Sequence, residues 1–498
     1  PGCIMVKSTD TTGDWQVYHR SLANTEYLVL NSTAAKATGA TRWNSTTPTS
    51  TEFSLGTDAS VNSSASGATY VAYIFAHDAG GFGLTGTDNV ISCGSFTTDG
   101  SANATVTLGY EPQFILTKET NGTRGWDIFD VMRGMSVGSA TSVLQANTSN
   151  AETSPGIFAS PTSTGFQFTM NASKTYIYIA IRRGPMKVPS TGSSVFAPTA
   201  FSGNGGSGSY SNTFPTDMIW HQTRNTAGLD HFDYDRLRGI NLKLSLNITD
   251  AEQAASFYTI NTSQNLVSYT GNNSGFNASG ETYIDYSFRR APSFMDVACY
   301  TGNGSSGGQT LSHNLTVAPE LIICKSRSNA FNWRVYSSSL GVSAYAALNL
   351  TSAFATDANN PWKTPTTTTF GVGDGTYWSS LNQSGATFVA YLFATCAGVS
   401  KVGSYTGTGA LQTVDCGFTS GARFVLIKRT DSTGDWYVYD SARGITSGND
   451  PYLFLNSTAA EVTSTNYVDT DSTGFKVTAA APAGLNASGG TYIFLAIS

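Results

Sequence analysis

Along the whole chain, short apolar runs alternate with clusters of Gly, Ser, Thr, Asn and Asp. In the last hundred or so residues the runs fall at Gly403–Tyr405, Gln412–Gly417, Phe424–Lys428, Trp436–Tyr439, Tyr452–Leu455, Gly474–Thr478 and Thr491–Ile497. Runs of this length, rich in β-branched and aromatic residues and bounded by turn formers, predict about seven strands. In TYIYIAI (Thr175–Ile181), Tyr176 and Tyr178 share one face, and Ile177, Ile179 and Ile181 share the other. Successive strand residues point to opposite faces, so this strand is predicted to be central and covered on both sides. The corresponding TYIDYSF places Asp285 and Ser287 on the tyrosine face. That predicts a wetter face there, or contact with a neighbour. Helical periodicity is weak everywhere; one helical turn is predicted over Asp250–Tyr258, with Asp250 as its N-cap.

The same phrases return in order. CIMVK at Cys3, FILTK at Phe114, LIICK at Leu321 and FVLIK at Phe424 are variants of one strand, and DMIWHQ from Asp217 is a weaker one. A turn and a second strand follow, headed by Trp15, Trp126, Trp333 and Trp436, with His231 in the weak copy; the intervals are 111, 105, 102 and 103 residues. An asparagine then opens NSTAA, NTSNA, NITDA, NLTSA and NSTAA at Asn31, Asn147, Asn247, Asn349 and Asn456. A further asparagine precedes each last strand, at Asn62, Asn171, Asn277, Asn382 and Asn486. A period near 105 exceeds solenoid and propeller repeats but matches one small β-domain. The fold expected is therefore all-β: a tandem array of about five β-sandwich repeats of jelly-roll or lectin-like type, the first truncated. The expected boundaries are 1–84, 85–183, 196–291, 292–397 and 398–498, with a proline-rich linker over 184–195. Pro1 aligns with Pro112 and Pro319, inside a repeat, so the protein is expected to extend further in the N-terminal direction. The third repeat is the most divergent and is expected to differ from the others in its contacts.

Charge narrows the function. Only 12% of residues are charged and the formal net charge is -6. No basic patch stands out, which argues against nucleic acid as a partner. No run of about 18 apolar residues exists, so no membrane insertion is expected. The six cysteines mostly occupy different places in the repeats, which suits buried thiols better than a disulfide framework. No CxxC pair, HExxH helix or P-loop is present. GSSGG at Gly304 and DTDSTG at Asp469 read as polar turns rather than a nucleophile elbow or a calcium loop. No catalytic residue, metal or cofactor is expected, and the chain is not read as an enzyme.

The polar group that does repeat is Asp-x-x-Arg-Gly, directly after the tryptophan strand: Asp130/Arg133, Asp235/Arg238 and Asp440/Arg443. With Trp15, Trp126, Trp333 and Trp436 beside them, these residues are candidates for a glycan or partner site, an aromatic platform next to a hydrogen-bonding pair. The plainer reading is an ion pair closing a turn, with each tryptophan anchoring a core. The first and fourth repeats carry YHRSLAN and YSSSLG at this place, so the fold does not require the pair.

Phrases such as TYIYIAIRRGPMKVPSTGSSVFAPTAF, YSFRRAPSFMDVACYTGNG, HNLTVAPELIICKSRS and FVLIKRTDSTGDWYVYDSARGI resemble a repeat family of phage proteins, common in marine and cyanobacterial phages and often following a lectin-like domain. The resemblance covers nearly the whole chain. It implies a structural virion protein, a tail fibre or other appendage that contributes to attachment to a host-surface glycan or receptor. It implies other virion proteins as partners, a homo-oligomer (a trimer if a fibre), and a virion or extracellular location. The alternative is a bacterial extracellular adhesin or surface-filament subunit. No catalytic residues accompany the resemblance.

Overall fold

A computed structural model describes the chain except residues 66, 84–85, 139, 157, 240, 256, 261–264 and 446–447, and the side chains of 259–260. It forms two compact units, Pro1–Met186 and Lys187–Ser498. The first holds repeats 1 and 2; the second holds repeats 3, 4 and 5.

Each complete repeat is a two-layer antiparallel sandwich. In repeat 5 the large sheet runs Ser400–Thr406, Thr491–Ile497, Phe424–Arg429, Trp436–Asp440, Leu453–Phe454. The small sheet runs Gln412–Asp415, Gly474–Val477, Val468–Asp471. The closing strand Thr491–Ile497 pairs on both edges, Ile497 with Ser400 and with Phe424. This is the central, doubly covered strand that its two apolar faces predict. Val468–Asp471 has no apolar run to announce it; DTDSTG is the end of that strand and the hairpin turn after it, where Asp471 Oδ1 accepts from Thr473 N at 3.0 Å. A single helical turn, Ala483–Asn486, precedes the closing strand.

The turn predicted over Asp250–Tyr258 is not helical in its described residues. Gln253–Ala254 is a short strand paired with Leu242 and Lys243. Glu252 is fixed by Arg327 at 2.8 Å and Arg238 at 3.1 Å, which holds the segment along the sheet edge against its weak helical preference. The expected linker over 184–195 is shorter than predicted: Val195 lies in the core of the second unit and Val188 packs against it.

Strand alternation divides each large sheet between two cores. In Leu321–Ser326, Ile322 and Cys324 face the repeat's own small sheet, while Leu321 and Ile323 face outward. The same split holds for Val425 and Ile427 against Phe424 and Leu426. In the second unit the outward faces of all three large sheets meet in one shared core, which includes Trp220, Tyr286, Trp333, Tyr391, Trp436 and Leu495. Each Leu, Ile or Phe side chain buried there stabilises the fold by about 1.5–3 kcal/mol. Repeats 3, 4 and 5 are therefore a single folded body.

In the first unit, the described residues of repeat 1 form one large sheet: Ala37–Thr38, Glu26–Val29, Gln16–His19, Cys3–Ser8, Tyr70–Phe75. Its inner face is covered by Trp43 and Val61. Its outer face packs Cys3, Met5, Val17 and Leu28 onto Leu116, Trp126, Ile177 and Ile179 of repeat 2.

Candidate functional site at the repeat junctions

The Asp-x-x-Arg-Gly group closes a turn. In repeat 5, Asp440 Oδ1 accepts the Arg443 N–H at 2.9 Å, Asp440 Oδ2 takes Arg443 Nε, and Nη2 donates to Val438 O at 2.8 Å. Arg238 and Arg133 repeat this with Asp235 and Asp233 O, and with Asp130 and Ile128 O. The next residue turns left-handed, with φ of 101° at Gly134 and 109° at Gly444, which accounts for the glycine in the motif.

A tyrosine from the adjoining repeat covers this turn. Tyr391 of repeat 4 donates to Asp235 Oδ2 at 2.6 Å and also meets Asp233. Tyr286 of repeat 3 donates to Asp440 Oδ2 at 2.9 Å and accepts from Arg443 Nη2 at 3.1 Å. Where the ion pair is missing, so is the tyrosine. Repeat 4 has Ser337 and Leu340 in these slots, and repeat 5 presents Leu495, which shares a core with Leu340. Repeat 1 has His19 and Leu22, and repeat 2 presents Ile179 against Leu22. A buried hydroxyl or charge left without a partner costs several kcal/mol, so the two sides of a junction are matched in polarity.

Two further contacts recur at each junction, and a third at two of them. Trp126 Nε1 donates to Val29 O at 2.9 Å, Trp333 Nε1 to Ser245 O at 2.8 Å and Trp436 Nε1 to Ala347 O at 3.2 Å. His231 holds the same slot in repeat 3 and donates from Nε2 to Ser457 O of repeat 5 at 2.6 Å. The strand lysines follow: Lys118 to Thr33 O at 3.1 Å, Lys325 to Thr249 O at 3.1 Å, Lys428 to Thr351 O at 2.8 Å. Gln222 replaces lysine in repeat 3 and donates to Phe454 O at 3.1 Å. Finally, Arg224 reaches Glu461 at 2.8 and 3.0 Å, and Arg327 reaches Glu252 at 2.9 and 2.8 Å. In the second unit repeat 4 thus docks on 3, repeat 5 on 4, and repeat 3 on 5, closing a three-membered ring.

The asparagine landmarks are the scaffold of these junctions. Asn31, Asn147, Asn247, Asn349 and Asn456 each accept, through Oδ1, the backbone N–H of Trp15, Trp126, His231, Trp333 and Trp436 at 2.7–3.1 Å. Asn277 and Asn486 tie loops within their own repeats through Nδ2, at Gly206 O and Thr478 O.

Burial shapes the electrostatics. It lowers Lys118, Lys325 and Lys428 to about 8, and His231 to about 4. Asp233 is pushed up to about 7, first by burial and then, against the pull of Arg238, by the charge of Asp235. Burial also opposes charge on Asp235, but Arg238 and the Tyr391 hydroxyl outweigh it and hold that carboxyl below its ordinary range. Repeat 3 has a second buried polar cluster inside its sandwich. His221 Nδ1 lies 2.6 Å from Asp285 Oδ1, and Tyr210 donates to Asp285 Oδ2 at 2.8 Å. The predicted wetter tyrosine face is therefore dry, and its polar atoms are satisfied from within.

These positions revise the sugar-platform reading. Trp126, Trp333 and Trp436 are at most 1% exposed, and Asp235, Arg238, Asp440 and Arg443 are buried. No sugar ring can stack on those indoles or reach those pairs. Trp15, Asp130 and Arg133 alone among the candidates are partly open, in the first unit. The divergence expected of repeat 3 shows in its partners, not in burial, since His231 is as buried as the tryptophans it replaces. The residues missed were the capping tyrosines Tyr286 and Tyr391 and the acceptors Glu252 and Glu461. Their signal was present: tyrosine appears at the fifth position of the closing strand in the repeats whose neighbour carries Asp-x-x-Arg.

Among the described residues no cluster of His, Cys, Asp or Glu is arranged to hold a metal ion. No curated protein matches the chain. A family model described as a domain of unknown function (DUF7483) matches residues 1–185 and 191–498. The short gap between the matches spans the boundary between the two units. With nearly every residue covered, the chain belongs to the DUF7483 family.

Proposed function

We propose that this chain is a structural, non-enzymatic component of a phage virion, a tail fibre or similar appendage that carries its sandwich repeats outward for attachment to a host surface. The observation that carries the reading is the use of the repeats' chemistry. Trp126, Trp333 and Trp436, the pairs Asp235/Arg238 and Asp440/Arg443, and the strand lysines Lys118, Lys325 and Lys428 are consumed in joining one repeat to the next. Such an array of low-charge β-domains, sealed by dry junctions, suits a load-bearing part outside the cell. The resemblance to phage repeats supplies the placement on the virion. Repeats 3 to 5 also build within one polypeptide the three-membered arrangement that a trimeric fibre builds from three. Host contact then falls to exposed loops, and multiple copies of a weak site raise avidity. Immunogold labelling of source particles with an antibody to this chain tests the reading. Label on a phage tail or other appendage is expected. Label confined to a bacterial envelope would overturn it in favour of an adhesin.

A further inference from the structure

The second unit shows what a complete junction set looks like, and the first unit lacks one member. Its repeat 2 docks on repeat 1 through Trp126 and Lys118. The other two faces are open. Arg133 Nε pairs with Asp130 at 2.6 Å and Nη1 lies 3.4 Å from Glu152, the same constellation as Asp440, Arg443 and Glu461. In repeat 5 that constellation is buried under Tyr286 and Arg224; in repeat 2 its side chains are 19–40% exposed.

On the opposite side, Tyr73 stands opposite Met5 in the register in which Tyr391 stands opposite Ile323, the equivalent place in its closing strand. Trp15 lies 5.9 Å from the Tyr73 ring, much as Trp333 lies 6.4 Å from Tyr391. Yet Tyr73 is 52% exposed, where Tyr391 is fully buried. The strand Tyr70–Phe75 also pairs on one edge only among the described residues, with Cys3–Ser8. In repeats 2 to 5 that second edge is taken by the repeat's own first strand, so this edge calls for a strand of the same sheet, while Tyr73 and the Asp130/Arg133 turn are the faces open to a neighbouring repeat.

We propose that these two faces of the first unit form a docking site for one further sandwich repeat of this same kind, which closes the unit into a three-membered ring. The polarity matching at the junctions specifies that repeat. Facing Asp130 and Arg133, it carries a tyrosine at the fifth position of its closing strand. Facing Glu152, it carries an arginine two residues after the Lys/Gln slot. Facing Tyr73, it carries Asp-x-x-Arg after its tryptophan strand. Repeat 3 has this combination in Tyr286, Arg224, Asp235 and Arg238. The inference does not depend on placing the protein on a virion.

The test uses the full chain with residues 187–318 appended ahead of Pro1. That segment supplies a copy of repeat 3 and the first two strands of a repeat, ending where Pro319 would follow. Hydrogen exchange around Asp130–Arg133, which strand completion in repeat 1 does not touch, is expected to slow at least tenfold against the unmodified chain. Tyr286→Phe in the appended copy, or Asp130→Ala, is expected to reverse most of that gain. An appended segment that is itself protected but leaves those amides unchanged overturns the proposal, as does one that never becomes protected. On the unmodified chain, hydroxyl-radical labelling at Tyr73 and carbodiimide labelling at Asp130 are expected at every concentration, with Tyr286 and Asp440 silent. Loss of that labelling only on self-association would make a second copy of the chain the occupant and overturn the proposal. Silence at Tyr73 and Asp130 in the monomer would overturn it too.

Discussion

Asp233 is a buried carboxylate whose charge is opposed by burial and by Asp235, and its replacement gives a quantitative test of the junction between repeats 3 and 4. Asp233 and Asp235 face the single guanidinium of Arg238 beneath Tyr391. Asp233 is pushed from the ordinary 3.8 to about 7, first by burial and also by the charge of Asp235, against the attraction of Arg238. Between those values the folded chain keeps a proton that the unfolded chain has released, so the folded state is favoured at low pH and that advantage is lost as pH rises through about 7. At about 1.4 kcal/mol per pH unit the whole window is worth up to about 4 kcal/mol. Asp233→Asn keeps the shape and never ionises. Urea unfolding of the full chain, followed by tryptophan fluorescence, should find the variant no more stable than wild type at pH 5. At pH 8 it should have gained on wild type by about 2–4 kcal/mol. Comparing the two proteins at each pH cancels the titrating groups that do not interact with Asp233. A wild-type-to-variant difference that stays constant from pH 5 to 8 would refute the reasoning.

His231 is held neutral by burial at about 4 against an ordinary 6.5, so the unfolded chain binds the extra proton first. The second unit should lose about 3 kcal/mol as pH falls from 6.5 to 4, a loss that thermal melts of His231→Gln should not show. Trp436→Phe strands the buried Ala347 carbonyl and should cost about 1–3 kcal/mol in urea unfolding, whereas Trp15→Phe in the open face of the first unit should stay within about 0.5 kcal/mol. Lys325→Met leaves the carbonyls of Thr249, Ser326 and Asn329 facing hydrocarbon and should lower the urea midpoint of the second unit by the equivalent of about 2–4 kcal/mol.

The sandwich itself was legible because its signals are local. Period-two alternation marked the closing strand, turn formers bounded the runs, and fixed spacing exposed the repeat. Val468–Asp471 escaped because a strand reading VDTD buries little and is held by its hairpin partner. The turn at Asp250 was misread because the ion pairs of Glu252 outweigh a marginal local preference. The site was half legible. Asp130, Asp235 and Asp440 stood out, but the pairing of Asp235 with Tyr391 and of Asp440 with Tyr286, 156 and 154 residues away, depends on which repeats touch. Nothing within one repeat says that repeat 3 docks on repeat 5. The tryptophans misled for a related reason: an indole beside a Gly-Asp turn reads the same whether it faces a sugar or the carbonyl of a neighbouring domain. The substitution of His231 for tryptophan, with Gln222 for lysine, marks the junction at which the ring closes.

The central claim is that repeats 3, 4 and 5 are one cooperative body joined by matched junctions around a shared core. The most direct test is native-state hydrogen exchange of the full chain across a series of low urea concentrations, read on the closing strands Thr282–Phe288, Thr387–Phe393 and Thr491–Ile497. The account predicts that the slowest amides of all three strands converge on one opening free energy and one urea dependence. Three separate opening reactions, each with its own free energy and urea slope, would contradict it.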